Sequence, residues 1–123
     1  MVDVKIILSA LWVAVEFLYQ QGDTQRIYSG DFKPGEVELE GVMSPATMWM
    51  ISAITMTIPV VMIILSLTLP HNLNRWANVI VATCFLLYTI IGVGKYPSAY
   101  DRFLLIVSLV ANALTIWYAW KWI

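Results

Sequence analysis

The sequence predicts a single all-α domain integral to a membrane, an antiparallel up-down-up-down bundle of four transmembrane helices. The chain has 123 residues, of which 60% are hydrophobic and only 12% are charged, whereas about a quarter of the residues in a typical soluble domain are charged. Four apolar runs are each long enough to cross the bilayer hydrocarbon, which takes about 20 residues. Each run places small or polar residues along one helical face, as close helix packing in a membrane requires.

The first helix is expected at about residues 4–21, and it carries Glu16 inside an apolar run. Polar and aromatic side chains recur there at spacings of three and four, so they share a face that should meet the other helices. The residues on this face are Ser9, Trp12, Glu16, Tyr19 and Asp23. A signal peptide is not expected, because Asp3 spoils the positive start and no A-x-A site follows the run.

The connection after this helix, at about residues 24–42, is polar and is expected outside the membrane. The residues expected to break regular structure at this connection are Gly22, Gly30, Pro34, Gly35 and Gly41. Its GEVELEG piece alternates acidic and apolar residues, which favours either an extended strip or a short interfacial turn. The sequence does not separate these two conformations.

The second helix is expected at about residues 45–69, with Ser44 as its N-cap and Pro45 at its first position. Pro59 should kink it by removing a backbone donor. Its inward face is predicted from the heptad spacing of Ser52, Thr55, Pro59, Met62 and Ser66. A tight loop from Pro70 to Asn74 should make the next helix antiparallel.

The third and fourth helices are expected at about residues 75–93 and 99–121. The face predicted for the third contains Asn78, Ala82, Phe85, Thr89 and Gly92. The face predicted for the fourth contains Ser108, Asn112, Thr115 and Ala119. The carboxyl end is rich in aromatic residues around Lys121, a pattern typical of an interfacial belt with a snorkelling cation. These aromatic residues are Trp117, Tyr118, Trp120 and Trp122.

Glu16 is the strongest candidate for a functional side chain, because a charged group near the middle of a membrane costs about 2.5–3.5 kcal/mol on insertion scales. It is either a protonatable site for proton coupling or a cationic ligand, or an acid that ties helices together through Tyr88 or Ser108. Trp12 and Tyr19 flank it and form either an aromatic box for a cation or part of the core. Asn112, like Asn78, is either an interhelical hydrogen-bonding group or a ligand contact.

Several classes of function are excluded by composition. The net charge is −1 and no basic stripe exists, so nucleic acid is not an expected partner. The single cysteine, Cys84, excludes an internal disulfide, and the single histidine, His71, excludes a clustered zinc site or two-histidine haem ligation. No nucleophile with a base and no phosphate-binding loop is found, so neither catalysis nor a cofactor is expected.

Four pieces of the sequence resemble a family of small prokaryotic four-helix integral membrane proteins of unknown function. The pieces are LSALW at 8–12, IPVVMIILS at 58–66, NRWANVI at 74–80 and WYAWKW at 117–122. The resemblance covers most of the chain and implies the four-helix fold but no activity. Members of this family carry more basic residues in the loop at 70–74, which implies a cytoplasmic position for that loop.

The function expected from the sequence is that of a small non-catalytic membrane protein, free-standing or an accessory subunit of a membrane complex. The alternative is a small proton-linked transporter or channel with Glu16 as its protonatable site. The expected partners are the lipid bilayer and a second copy, most simply in a dimer. We expect both termini in the cytoplasm at the cell (inner) membrane, but the near-even division of basic residues between the two sides keeps dual orientation open.

Overall fold

The computed structural model describes residues 3–31, 44–94 and 98–122, and helices account for 91% of them. In chain order they are α1 (Val4–Ser29), α2 (Pro45–Thr68), α3 (His71–Val93) and α4 (Ala99–Lys121). No strand occurs within the described ranges. The prediction of an all-α chain with four long helices is confirmed.

All four helices are long and apolar enough to cross a membrane, with mean hydropathies of 1.2, 2.3, 2.0 and 1.8 in chain order. The apolar side chains are largely on the outside, since at most a third of any of these segments is buried. This distribution is the reverse of that in a soluble bundle, where the apolar stripe of each helix faces the core.

Helix α1 continues to Ser29, well beyond the end predicted at Gln21. Thr24 donates a hydrogen bond to the Gln20 carbonyl, and Gly30 ends the helix with a left-handed φ of 83°, a conformation that favours glycine. The polar residues at the start of the expected loop therefore belong to a helix. The GEVELEG piece lies outside the described residues.

Helix α3 begins at His71, whereas the sequence predicted a loop as far as Asn74. The Asn74 backbone N–H bonds to the Pro70 carbonyl at 2.8 Å, and the Asn74 side chain donates to the Ser66 carbonyl at 2.8 Å. Because the Asn74 side chain bonds to a carbonyl in the last turn of α2, only Leu69 and Pro70 connect α2 to α3. The predicted start of α2 is confirmed, since the Ser44 hydroxyl caps the Thr47 N–H.

The helices pack with α1 along α2 and α4, and with α3 along α4, whereas α2 and α3 meet over only a short stretch. A small apolar core lies between them and consists of Trp12, Val15, Met62, Ala82, Phe85 and Ala111. Trp12 meets the edge of Phe85 with ring centroids 5.9 Å apart. Large side chains thus fill the centre of the bundle.

The predicted inward faces of α3 and α4 are confirmed, apart from Gly92, which is half-buried. The face of α1 is rotated relative to the prediction. Its buried residues are Leu8, Ser9, Trp12, Val15 and Gly22. Glu16 and Tyr19 are only partly buried and Asp23 is exposed, because α1 turns its small Gly22, and not Asp23, towards Asp101 of α4.

Only the second half of the face predicted for α2 is buried. Pro59, Met62 and Ser66 lie in the interior. Thr55 is half-buried and Ser52 is exposed, so the prediction that the Thr55 part of the face turns inward is wrong in this respect. The reason is that α2 and α3 lie apart at this depth.

Candidate functional site

The centre of the bundle holds a hydrogen-bonded network around Asn78. The Trp12 indole donates to Asn78 Oδ1 at 2.7 Å, and the Ser66 hydroxyl donates to the same atom at 3.3 Å. The Asn78 amide nitrogen donates to the side chain and carbonyl of Asn74 at 2.7 and 2.9 Å. All four residues are fully buried. Trp12 therefore ties α1 to α3 here, and Asn78 acts as the predicted interhelical hydrogen-bonding group.

Tyr19, the second aromatic candidate, joins the same two helices one layer away. Its hydroxyl lies 2.7 Å from the Thr89 hydroxyl, and either oxygen can donate. Its ring lies 6.1 Å from the ring of Phe85, and the side chains of Ser108 and Asn112 face its hydroxyl. Tyr19 thus connects α1 to α3 beside α4.

Asn112 differs from Asn78, although both amides are fully buried. Neither its oxygen nor its nitrogen has a hydrogen-bond partner among the described residues. The nearby hydroxyls of Ser108 and Thr115 instead donate to carbonyls of α4 itself, those of Leu105 and Ala111. Within the described part of the chain, Asn112 therefore does not form the interhelical bond expected of it, and a buried polar group left without a partner costs about 1–3 kcal/mol.

Glu16 is partly buried on α1. Its Oε1 accepts a long hydrogen bond of 3.4 Å from Gln20 on the same helix, while its Oε2 is buried without a partner. The expected bond from Tyr88 or Ser108 does not form, since Ser108 donates to Leu105 and Tyr88 is 60% exposed on α3. Among the described residues Glu16 makes no ion pair.

Tyr88 lies instead at a cleft between the amino-terminal half of α2 and the carboxyl-terminal half of α3. The cleft has a volume of about 250 Å³. Its lining is apolar apart from three hydroxyls and consists of Met48, Ile51, Ser52, Thr55, Met56 and Tyr88. The Thr55 hydroxyl is already bonded to the Ile51 carbonyl at 2.8 Å. The sequence placed Thr55 in the interior, so this cleft was not predicted.

Charged side chains meet where α1 ends and α4 begins. Arg26 bonds to Asp23 and, at 2.5 Å, to Asp101, whose side chain is 3% exposed. Beyond the end of α1, the Asp31 carboxylate accepts hydrogen bonds of 2.6 Å from Ser98 and Tyr100. These two donors hold the pKa of Asp31 below its ordinary value of 3.8. Sequence reasoning missed this cluster because its members are far apart in the chain.

The other charged cluster joins the beginning of α3 to the end of α4. Arg75 donates to the carbonyls of Ala119 and Trp120 at 3.1 and 2.7 Å. Its guanidinium lies 5.3 and 5.6 Å from the rings of Trp76 and Trp120, and Lys121 lies 4.5 Å from the ring of Trp117. Two of the aromatic residues near the carboxyl terminus, Trp117 and Trp120, thus contact cations.

The chain shows no metal-binding geometry in its described part, where no group of three His, Cys, Asp or Glu residues converges. In comparisons with known proteins, no curated protein and no solved structure matches. The family expected from the sequence is confirmed as uncharacterised and as covering the whole chain, with residues 2–123 matched. The chain belongs to the Family of unknown function (DUF6326).

Proposed function

We propose that this protein is a non-catalytic integral membrane protein that works by assembling with other membrane-embedded chains. Its four helices cross the cell membrane as an up-down-up-down bundle with both termini in the cytoplasm. The partner is a second copy, most simply in a dimer, or a larger membrane complex in which the chain is an accessory subunit.

One observation carries the proposal, the distribution of charge along the four helices. Apart from Glu16, the charged side chains described on the helices lie towards their ends, in the clusters around Arg26 and Arg75 and at Lys5 and Arg102. Between these ends the outer surface is apolar, with exposed residues such as Ile54, Ile80 and Ile106. Hydrocarbon tolerates this surface, whereas water does not.

The interior supports a structural role. Trp12, Tyr19 and Asn78 were candidates for ligand contact, and their polar atoms bond to other helices. Hydrogen bonds of this kind, together with close packing, hold helices together in a bilayer. Because side chains such as Trp12 and Phe85 fill the centre, a roomy site would form between protomers more readily than within one.

Membrane topology is tested with a pair of cysteines in a Cys84→Ala background. Tyr28→Cys is exposed near the end of α1, and Asn72→Cys is exposed near the start of α3. With both termini inside, a membrane-impermeant maleimide applied to intact cells should label Tyr28→Cys and leave Asn72→Cys unlabelled. The reverse pattern would refute the orientation, and half-labelling of both would indicate dual insertion. Release of the protein from membranes by alkaline carbonate would refute insertion itself.

Assembly is tested by co-expressing two differently tagged copies. After mild extraction, purification through one tag should also recover the copy that carries the other tag. Copies that are extracted separately and then mixed should not co-purify. Failure to co-purify, with a single copy per lipid nanodisc, would refute the dimer. Copies purified from native membranes together with a fixed stoichiometry of another protein would favour the accessory subunit.

A proton-linked transporter or channel is the second candidate, and the buried, unpartnered Oε2 of Glu16 favours it. A protonatable carboxyl away from the helix ends is the feature that such a pathway needs. Proton flux into liposomes containing the wild-type protein, lost on Glu16→Gln, would support it. Equal proton flux in liposomes with wild-type protein, with Glu16→Gln and without protein would refute the transporter or channel.

A further inference from the structure

Arg75 is held in one position at the end of the bundle where α3 begins and α4 ends. Its Nε and Nη2 donate to the carbonyls of Ala119 and Trp120 at 3.1 and 2.7 Å, and its guanidinium lies against the rings of Trp76 and Trp120. Because a helical side chain leans towards the amino terminus of its helix, Arg75 points towards this end of the bundle. Its geometry is therefore fixed before any ligand binds.

The guanidinium of Arg75 has donors that the bundle does not use. An arginine carries five N–H groups, and the two bonds to α4 occupy only the edge formed by Nε and Nη2. The bond from Nε is partly buried and the bond from Nη2 is exposed, so the remaining edge, between Nη1 and Nη2, is the outer one. Two parallel N–H donors on one edge are the arrangement that binds a phosphate through two hydrogen bonds.

The positive charge at this end has no carboxylate partner. At the opposite end of the bundle, Arg26 is paired with Asp23 and Asp101. Neither Arg75 nor Lys121 makes an ion pair within the described ranges. Lys121 follows directly after the carbonyls that Arg75 binds, so a second positive charge lies on the same turn of α4. The charge at this end is thus complementary to an anion.

The tryptophans indicate the depth of this charge in the membrane. Trp76, Trp117 and Trp120 are all exposed near Arg75 or Lys121, and tryptophan is enriched at the level of the lipid headgroups. In the arrangement proposed above, this end faces the cytoplasmic leaflet, whose anionic lipids attract arginine and lysine. An anionic phospholipid therefore matches the site in both charge and depth.

We propose that Arg75 binds the phosphate group of an anionic phospholipid through the outer edge of its guanidinium, with Lys121 adding positive charge on the neighbouring turn. Because the same guanidinium joins α3 to α4, the bound lipid stabilises this contact. The site goes beyond the proposed function and rests on its membrane arrangement, which carbonate extraction tests independently.

The test follows the indole ¹⁵N–H signals of the protein by NMR in micelles of a neutral detergent. Dihexanoyl phosphatidylglycerol is the probe, and it should shift the signals of Trp76 and Trp120 saturably. Trp49 is similarly exposed, at 49% against 46% for Trp76, but it lies near the start of α2 at the opposite end, so it reports unspecific effects of added lipid. The buried Trp12 reports that the core is folded.

Two further ligands identify the chemistry that is recognised. Dihexanoyl phosphatidylcholine has the same chains and a phosphate, but its choline cation cancels the negative charge, so it should bind about tenfold more weakly or less. Glycerol phosphate has the phosphate without the chains. It should give no saturable shift over the same concentrations, because the micelle does not concentrate it at the site.

Three variants complete the experiment. Arg75→Gln should weaken the binding of phosphatidylglycerol about tenfold or more, since it removes charge-assisted hydrogen bonds. Arg75→Lys keeps the charge without the paired donors and should retain only part of the affinity. Arg102→Gln removes the same charge near the other end of α4 and should leave the affinity unchanged.

The site is refuted if wild-type protein shows no saturable shift at Trp76 and Trp120, or if Trp49 shifts in the same way. Equal affinity for glycerol phosphate would make it a site for soluble phosphate, and equal affinity for phosphatidylcholine would refute selection by charge. Wild-type affinity in Arg75→Gln would refute the role of Arg75. If Arg75→Gln alters the Trp12 signal, Arg75→Lys decides, since full affinity there would refute recognition by the paired donors.

Discussion

The two halves of α2 carry one continuous stripe of residues, but the two halves of the stripe differ in burial. In the carboxyl-terminal half, Met62 and Ser66 are buried against α1 and α3. In the amino-terminal half no residue from 46 to 58 is buried. Hydrophobicity does not explain the difference, because both halves are strongly apolar.

The difference lies in the polar residues that α3 offers to α2. Near the connection, Asn74 and Asn78 bond to the carbonyl and hydroxyl of Ser66. At the far end of α3, Thr89 bonds to Tyr19 of α1 instead, and Tyr88 makes no bond to α2. Polar contacts and close packing, more than apolar surface, hold helices together in a membrane, so α3, which packs along α4, separates from α2 where it offers α2 no polar partner.

The sharpest test of this comparison replaces one methionine by alanine in each half of α2. Met62→Ala should destabilise the protein by about 2 kcal/mol or more, because it leaves a cavity in the core. Met50→Ala, at an exposed position, should stay within about 0.5 kcal/mol of wild type. Reversible unfolding in mixed micelles measures both, and similar losses would show that the two halves are packed alike.

A second test compares the two buried amides. Asn78→Leu should cost about 2 kcal/mol, because Trp12 and Ser66 lose their common acceptor. Asn112→Leu should be neutral or stabilising by about 1 kcal/mol, since it removes two polar atoms without partners. The same unfolding assay applies. A comparable loss of stability in Asn78→Leu and Asn112→Leu would mean that Asn112 has a hydrogen-bond partner in the membrane.

The loose half of α2 can also be given the polar contact that it lacks. Ser52→Asn places an amide in the cleft opposite the hydroxyl of Tyr88. A new interhelical hydrogen bond in a membrane contributes roughly 0.6 kcal/mol on average, so a small gain in stability is expected. The gain should disappear in the Ser52→Asn, Tyr88→Phe double variant. A gain that survives there would have another cause.

The smallest effect is expected at the end of α1, beside the start of α4. Because bonds from Ser98 and Tyr100 lower the pKa of Asp31 from 3.8, its contribution to stability is fully present above that pH. The contribution is lost as the pH falls through the lower, folded-state pKa. Unfolding midpoints between neutral and acidic pH should show a small acid-dependent loss that Asp31→Asn lacks. An identical pH profile for both proteins would assign the loss to other carboxyl groups.

The positions of the helices were largely readable from local signals. Ser44 and Pro45 marked the start of α2, and the heptad spacing of Asn78, Phe85 and Thr89 marked the buried face of α3. Errors occurred where polar residues were interpreted as loop. The end of α1 stays helical because Arg26 reaches Asp101 on α4, and no local pattern indicates a partner that distant.

The candidate site was likewise predicted only in part. Glu16 was identified by its chemistry alone, because a carboxylate inside an apolar run is costly wherever the helix packs. Its surroundings were not identified, since the register of α1 on α2 determines which residues lie at its level. Tyr88 and Thr55 were expected in the interior, and the divergence of α2 and α3 places them at a cleft instead.

The four apolar helices and their polar stripes follow from length, periodicity and capping along a continuous chain, and could be predicted without a structure. Tertiary structure decided which stripes are buried, which amide is bonded and where the cleft opens. The physical reason is that a hydrogen bond between helices depends on the position of both partners. Asn78 and Asn112 are the same residue type on similar faces, and only the neighbouring helices distinguish the bonded amide from the unbonded one.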